Sequence, residues 1–235
     1  VSGFPAAVIS GAARCAALFV CAAFMLGLAM TGAHSDATQD QALLAAAARG
    51  DAPAVKRLLG EGASVAVRDN AGRTALLLAT HGNHVEAARL LIASGADVNA
   101  KDNIQDSPFL YAGAEGRNDI LKMALTAGAD LTSTNRYGGT ALIPAAHHGH
   151  VETVKILLAT AIDKDHVNRL GWTALLEAVI LGDGGRVHTE IVRLLVEAGA
   201  DVNIADREGV TPLVHARTRG YAEMVRILAG KGGRR

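Results

Sequence analysis

Within "AAHHGHVETVKILL", residues 145–158, His147, His148 and His150 fall inside four positions. Imidazoles this close are the residue type that ligates zinc or relays protons near neutral pH. A zinc site needs three or four converging ligands, each oriented by a further partner. Cysteine offers no help, because Cys15 and Cys21 are the only two and no cysteine follows residue 33. No HExxH pair, P-loop, GxSxG turn or dinucleotide-type glycine fingerprint accompanies the histidines. Acidic residues recur at a fixed period instead of forming a close acid–base pair. These observations predict a chain that is not an enzyme, with no catalytic, cofactor-binding or metal-binding residues.

The histidines are positioned by a repeat. Segments opening at Asp69, Asp102, Asn135 and Asn168 are spaced 33 residues apart, and the next opens at Asp206. Each begins with Asp or Asn, and all but the one at Asp102 have a Gly three residues later, as in "DNAG" and "NRYG". That pairing makes a tight turn in which the side chain bonds its own backbone. Thr or Ser follows at Thr74, Ser107, Thr140, Thr173 and Thr211, where it can cap a helix. Pro108 and Pro212 suit a first helical position. A short apolar helix runs to a turn at Asn83, Gly116, Gly149, Gly182 or Gly220. A second helix then starts near Glu86, Asp119, Glu152, Glu190 or Glu223, where the helix dipole favours an acid.

The pieces "GxTAL" or "TPL", "GHVE" and "GADVN" recur in that order, and with them the chain closely resembles the ankyrin repeat. The resemblance implies an all-α fold with short β-hairpins, a solenoid of about six stacked helix-turn-helix units. The units are 36–68 (a cap), 69–101, 102–134, 135–167, 168–205 and 206–235 (a cap). Stacking is physically required, because neither short helix pair can bury its apolar face alone. The family's usual histidine after "TPL" is replaced by Leu77, Leu110, Ile143, Leu176 and Val214. Gln105 stands in place of a turn glycine. "TAIDKDHVN" breaks the "GADVN" pattern, which predicts a distorted hairpin after Ala161. The extra "DGGRV" in the fifth unit predicts a mobile loop.

Superposing the units splits the histidine cluster. His150 matches His84, and His188 once the insertion is allowed, which predicts a structural role tying adjacent turns. His147 and His148 fall where other units hold His81–Gly82, Ala114–Glu115, Ile180–Leu181 and Thr218–Arg219. Such dissimilar occupants mark a face that packing does not dictate.

Ankyrin-like chains bind through hairpin tips and the exposed face of the first helices. The resemblance therefore implies partner contacts at Arg68, Arg73, Lys101, Ile104, Asp106, Arg136, Tyr137, His147, His148, Arg169, Trp172 and Arg207. Six of these form a basic line, although Lys plus Arg and Asp plus Glu are 23 each. Neutrality overall excludes an electrostatic case for nucleic acid. The expected partner is another protein with an acidic surface, bound around Tyr137 and Trp172.

Arg14 is the only charged residue before Asp36. A basic residue, an apolar run and small residues ending at Ala33 make the layout of a signal peptide over 1–33. Uncleaved, residues 15–35 would anchor the chain in an inner membrane. The expectation is a periplasmic or secreted monomeric scaffold. Its alternative is a histidine-based metal-binding or enzymatic protein in the periplasm.

Overall fold

The computed structural model describes residues 37–234, so the expected signal peptide and anchor lie outside the described residues. The described residues form six helix pairs. The first is α1 (37–49) with α2 (Ala52–Gly60), followed by α3 (Ala75–His81) with α4 (Val85–Ala93). Then come α5 (Pro108–Ala114) with α6 (Asn118–Thr126), and α7 (Leu142–His147) with α8 (Val151–Leu158). The last are α9 (Ala174–Ile180) with α10 (Arg186–Glu197), and α11 (Pro212–Thr218) with α12 (Ala222–Gly230). First helices α3, α5, α7, α9 and α11 pack in one row, and second helices α2 through α12 in another. A column of buried alanines (Ala79, Ala112, Ala145, Ala178, Ala216) lets the first helices approach closely.

Each tip is closed by its opening Asp or Asn. Oδ1 of Asp69 accepts the backbone N–H groups of Ala71 and Arg73, both at 2.9 Å. Asp102, Asn135, Asn168 and Asp206 repeat the pair of bonds. The expected β-hairpins shrink accordingly: among the described residues the single bridge joins Arg68 to Thr74. The turn-closing side chain takes N–H groups that a β-ladder would otherwise use. Gln105 keeps the glycine conformation of its tip, with φ at 68°. An L side chain there is strained by about 1–2 kcal/mol, against roughly 0.5–1 kcal/mol of extra chain entropy for glycine. Gln105→Gly is therefore expected to raise stability by about 0.5–1 kcal/mol, checked by denaturant titration; a lowered midpoint would contradict it.

Four of the five predicted caps form. The hydroxyls of Thr74, Ser107, Thr173 and Thr211 accept from Leu77, Leu110, Leu176 and Val214. Thr140 does not, and its buried Oγ1 has no partner. The cause is Pro144, which lacks the N–H that would bond the Thr140 carbonyl. Ile143 N–H takes that carbonyl instead, at 3.2 Å, and the hydroxyl is left out.

The second helices end in a shared way, as where Ala96 N–H reaches back to Leu91 and Ala200 N–H to Leu195, beside left-handed Gly95 and Gly199. The fourth unit closes differently. With Ala161 in place of glycine, Thr160 Oγ1 donates to the Leu157 carbonyl and accepts from Ile162 N–H. The insertion also differs from the expected loop. Arg186 and Val187 become the first turn of α10, which runs 12 residues. The left-handed turn accordingly moves from Gly182 to Gly184. Glu190, expected in the first turn, stands further along and pairs with Arg193 at 3.5 Å.

Candidate functional site

A groove of about 450 Å³ opens between the tips and first helices of the third to fifth units. It brings together five predicted contacts: Asp106, Arg136, Tyr137, His147 and His148. Trp172 and Arg169 do not line it. Trp172 is half-buried, with its backbone N–H held by Asn168 Oδ1 at 3.0 Å. Ile104 stands exposed at its tip.

The groove also contains residues that the superposed sequence did not single out. These are Tyr111 in its wall and Glu177 at its floor; Leu170 at a tip and Leu181 at a helix end, both in variable register, complete the wall. The Glu177 side chain is only 7% exposed. Oε1 accepts from Asn168 Nδ2 at 2.9 Å. Oε2 lies 3.5 Å from Nδ1 of His147. Burial pushes the carboxyl up to about 7, against the opposing pull of the Asn168 amide and His148. Burial likewise pushes Asp106 above the usual carboxylate range, opposed by Arg136 at 3.5 Å. The Arg136 guanidinium sits 4.9 Å from the centre of the Tyr137 ring.

A sequence signal for Glu177 existed. It is the lone charged residue in "ALLEAVI", and it stands nine residues after the tip Asn168. The same register holds Leu78, Tyr111, Pro144 and His215, as dissimilar a set as the one that marked His147.

The histidines divide further. His84 Nε2 donates to the Ala48 carbonyl at 3.2 Å, and His188 Nε2 to the His147 carbonyl at 2.9 Å. Tyr221 fills the same place in the last unit, donating to the Gly182 carbonyl at 3.0 Å. His150 packs over Gly116, where even a methyl group would meet its ring at 2.9 Å. Burial, then neighbouring His148, holds His150 below the ordinary histidine range. His148, expected only on the variable face, also ties two units, through Nδ1 to the Ala114 carbonyl at 2.7 Å. Burial, then His148 and His188, also lowers His147. His81 does not join them; its ring lies 4.1 Å from that of Tyr111, backing the groove wall. No group of three or more His, Cys, Asp or Glu among the described residues is arranged to hold a metal.

The basic line is built into the tips. Arg68 donates to the carbonyls of Gly72 and Lys101, at 2.6 and 2.7 Å. Lys101 donates to Thr134, Arg169 to Arg136 and Arg207 to Arg169, each to a carbonyl one unit away. Arg73 is paired with Asp69 at 2.7 Å.

The family model for ankyrin repeats matches residues 7–102, 109–206 and 182–234. The chain belongs to the ankyrin-repeat family. An ankyrin repeat domain from Acinetobacter baumannii AYE is 57% identical, with a TM-score of 0.80 over 82% of this chain and 98% of that one. The ankyrin repeat domain of Bcl-3, a member of the IkappaB protein family, is 30% identical with a TM-score of 0.74, over 82% of this chain and 86% of that one. The putative ankyrin repeat protein YahD of Escherichia coli (strain K12) is 45% identical over 56 residues, 24% of this chain and 28% of YahD. The matched stretch thus spans little more than a quarter of YahD's length. Ankyrin repeats are protein–protein interaction modules and generally non-enzymatic scaffolds. No helix among the described residues is long and apolar enough to cross a membrane.

Proposed function

We propose that this ankyrin-repeat chain is a non-catalytic scaffold that holds an acidic partner protein against its tips and groove. The observation behind this reading is the state of the four cations Arg68, Lys101, Arg169 and Arg207. Each is fixed by a neutral carbonyl, and none has a carboxylate within ion-pair distance among the described residues. A carbonyl bond restricts the side chain without cancelling its charge. The result is a preorganised positive edge, which steers association with an acidic surface. Tyr137, half exposed and stacked under Arg136, supplies an aromatic contact of the kind enriched in hot spots. Trp172 supplies a second on the same edge.

The setting we propose is the periplasm or exterior, from the Arg14 and apolar layout of residues 1–33. Affinity capture from the periplasmic fraction at rising salt tests the scaffold. A captured protein should be released as salt screens the edge, and Trp172→Ala should weaken its binding by at least about 2 kcal/mol. Trp172 lies outside the apolar core. The same substitution should cost less than about 1 kcal/mol of folding stability. Salt-insensitive capture, or unchanged binding by the variant, would overturn this assignment. A phosphatase fusion after residue 40 tests export separately.

A further inference from the structure

We propose that the groove is a socket for one arginine or lysine side chain of the partner, its cationic head seated on Glu177. This goes beyond the positive edge, which selects the opposite charge, and it takes from that reading only that the occupant is a protein side chain.

Three carboxyl groups line the groove, those of Asp106, Glu115 and Glu177, against one permanent cation, Arg136. Arg136 is already committed to Asp106 and to the face of Tyr137. An anion entering the groove would therefore meet repulsion at the floor. Glu177 is more than nine-tenths buried, and among the described residues its Oε2 has only the long contact from His147. A buried carboxylate oxygen with an incomplete set of donors is costly. A guanidinium or ammonium supplies the missing donors in a charge-assisted bond. The remaining wall, including Tyr111, Leu170 and Leu181, suits the aliphatic stem of such a side chain. About 450 Å³ is room for one long side chain and its flanking backbone, not for a folded domain. Opposite charge preferences on edge and floor would fix the register of a bound segment.

The test uses small probes and no partner. N-acetyl-arginine methylamide, its lysine counterpart and the neutral citrulline analogue are titrated into the protein at pH 8. The ring proton signals of His147 and His148 are followed by NMR. The cationic probes should shift these signals saturably, and the citrulline analogue should bind at least about tenfold more weakly. Glu177→Gln, a near-isostere, should cost the cationic probes at least about tenfold, with its fold verified by circular dichroism. Glu115→Gln provides a second variant at the wall and should also weaken them. Equal binding of citrulline, unchanged binding by Glu177→Gln, or no shift at His147 would each overturn the socket. Lys101→Ser and Arg207→Ser should leave probe binding unchanged, so a failed positive edge and a failed socket give separate results.

Discussion

Glu177→Gln is expected to stabilise the protein at pH 8 and to leave it nearly unchanged at pH 4. The carboxyl is buried in the groove floor and titrates near 7 in the folded chain, against an ordinary value of 4.5. The cause is desolvation, which disfavours the charged form; the Asn168 amide and His148 offset only part of it. Below pH 4.5 both folded and unfolded chains hold the proton. Between 4.5 and 7 the folded chain holds it and the unfolded chain releases it. Raising the pH through that window therefore favours unfolding. Above 7 the folded chain carries a buried carboxylate, and the full penalty applies. At 1.36 kcal/mol per unit, the loss amounts to roughly 3 kcal/mol. Glutamine keeps an oxygen for Asn168 and has no proton to lose. Urea unfolding of both proteins at pH 4, 6 and 8 should show a gap that opens with pH. A constant gap, or a variant weaker at pH 8, would mean that Glu177 is ionised in the folded chain well below 7. A destabilising acid kept at the floor of a groove is the pattern expected of a binding group, since function is where local rules are broken.

What could be read from residues alone was mostly local. The Asp or Asn at each tip dictates its own turn through bonds two and four residues on, so five tips were legible. Caps are similarly local, and Thr140 failed only because Pro144 sits four residues later and removes one N–H. The roles of the cations were not legible. Arg68 and Lys101 look like free charges until stacking brings a neighbouring carbonyl within 2.7 Å of each. The repeat register places His148 only on the variable face for the same reason, its bond to Ala114 being a contact between units. Trp172 and Tyr137 are close in register, yet only Tyr137 turns into the groove lining. Glu177 sits inside an apolar helix, where the period suggests core, so the repeat pattern alone does not mark it. Its burial is real, but its charge was the sign of a groove beneath the tips.

Leu157→Ala is expected to cost roughly 2–5 kcal/mol of stability, the range for a truncated buried leucine. Leu157 is fully buried on α8. That helix packs against α6, α7 and α10, so one side chain supports its own unit and the interfaces to both neighbours. In a solenoid, stability is the sum of unit and nearest-neighbour terms, and a central defect weakens two couplings at once. Leu157 also anchors the altered ending of the fourth unit, because its carbonyl accepts from Thr160 Oγ1 at 2.6 Å and from Thr160 N–H at 3.0 Å. Without a glycine to close that end, a shift of the last turn of α8 carries the following residues with it. Leu228, equally buried on α12, has a neighbouring unit on one side only among the described residues. Leu228→Ala should therefore release the last helix pair while the rest stays folded. Hydrogen exchange separates the two outcomes. Leu157→Ala should speed exchange in α6, α8 and α10 together and lower the global urea midpoint. Leu228→Ala should speed exchange in α11 and α12 alone. An unchanged midpoint for Leu157→Ala would show that the interfaces on either side of α8 do not depend on it, and that stacking is not what holds the central units.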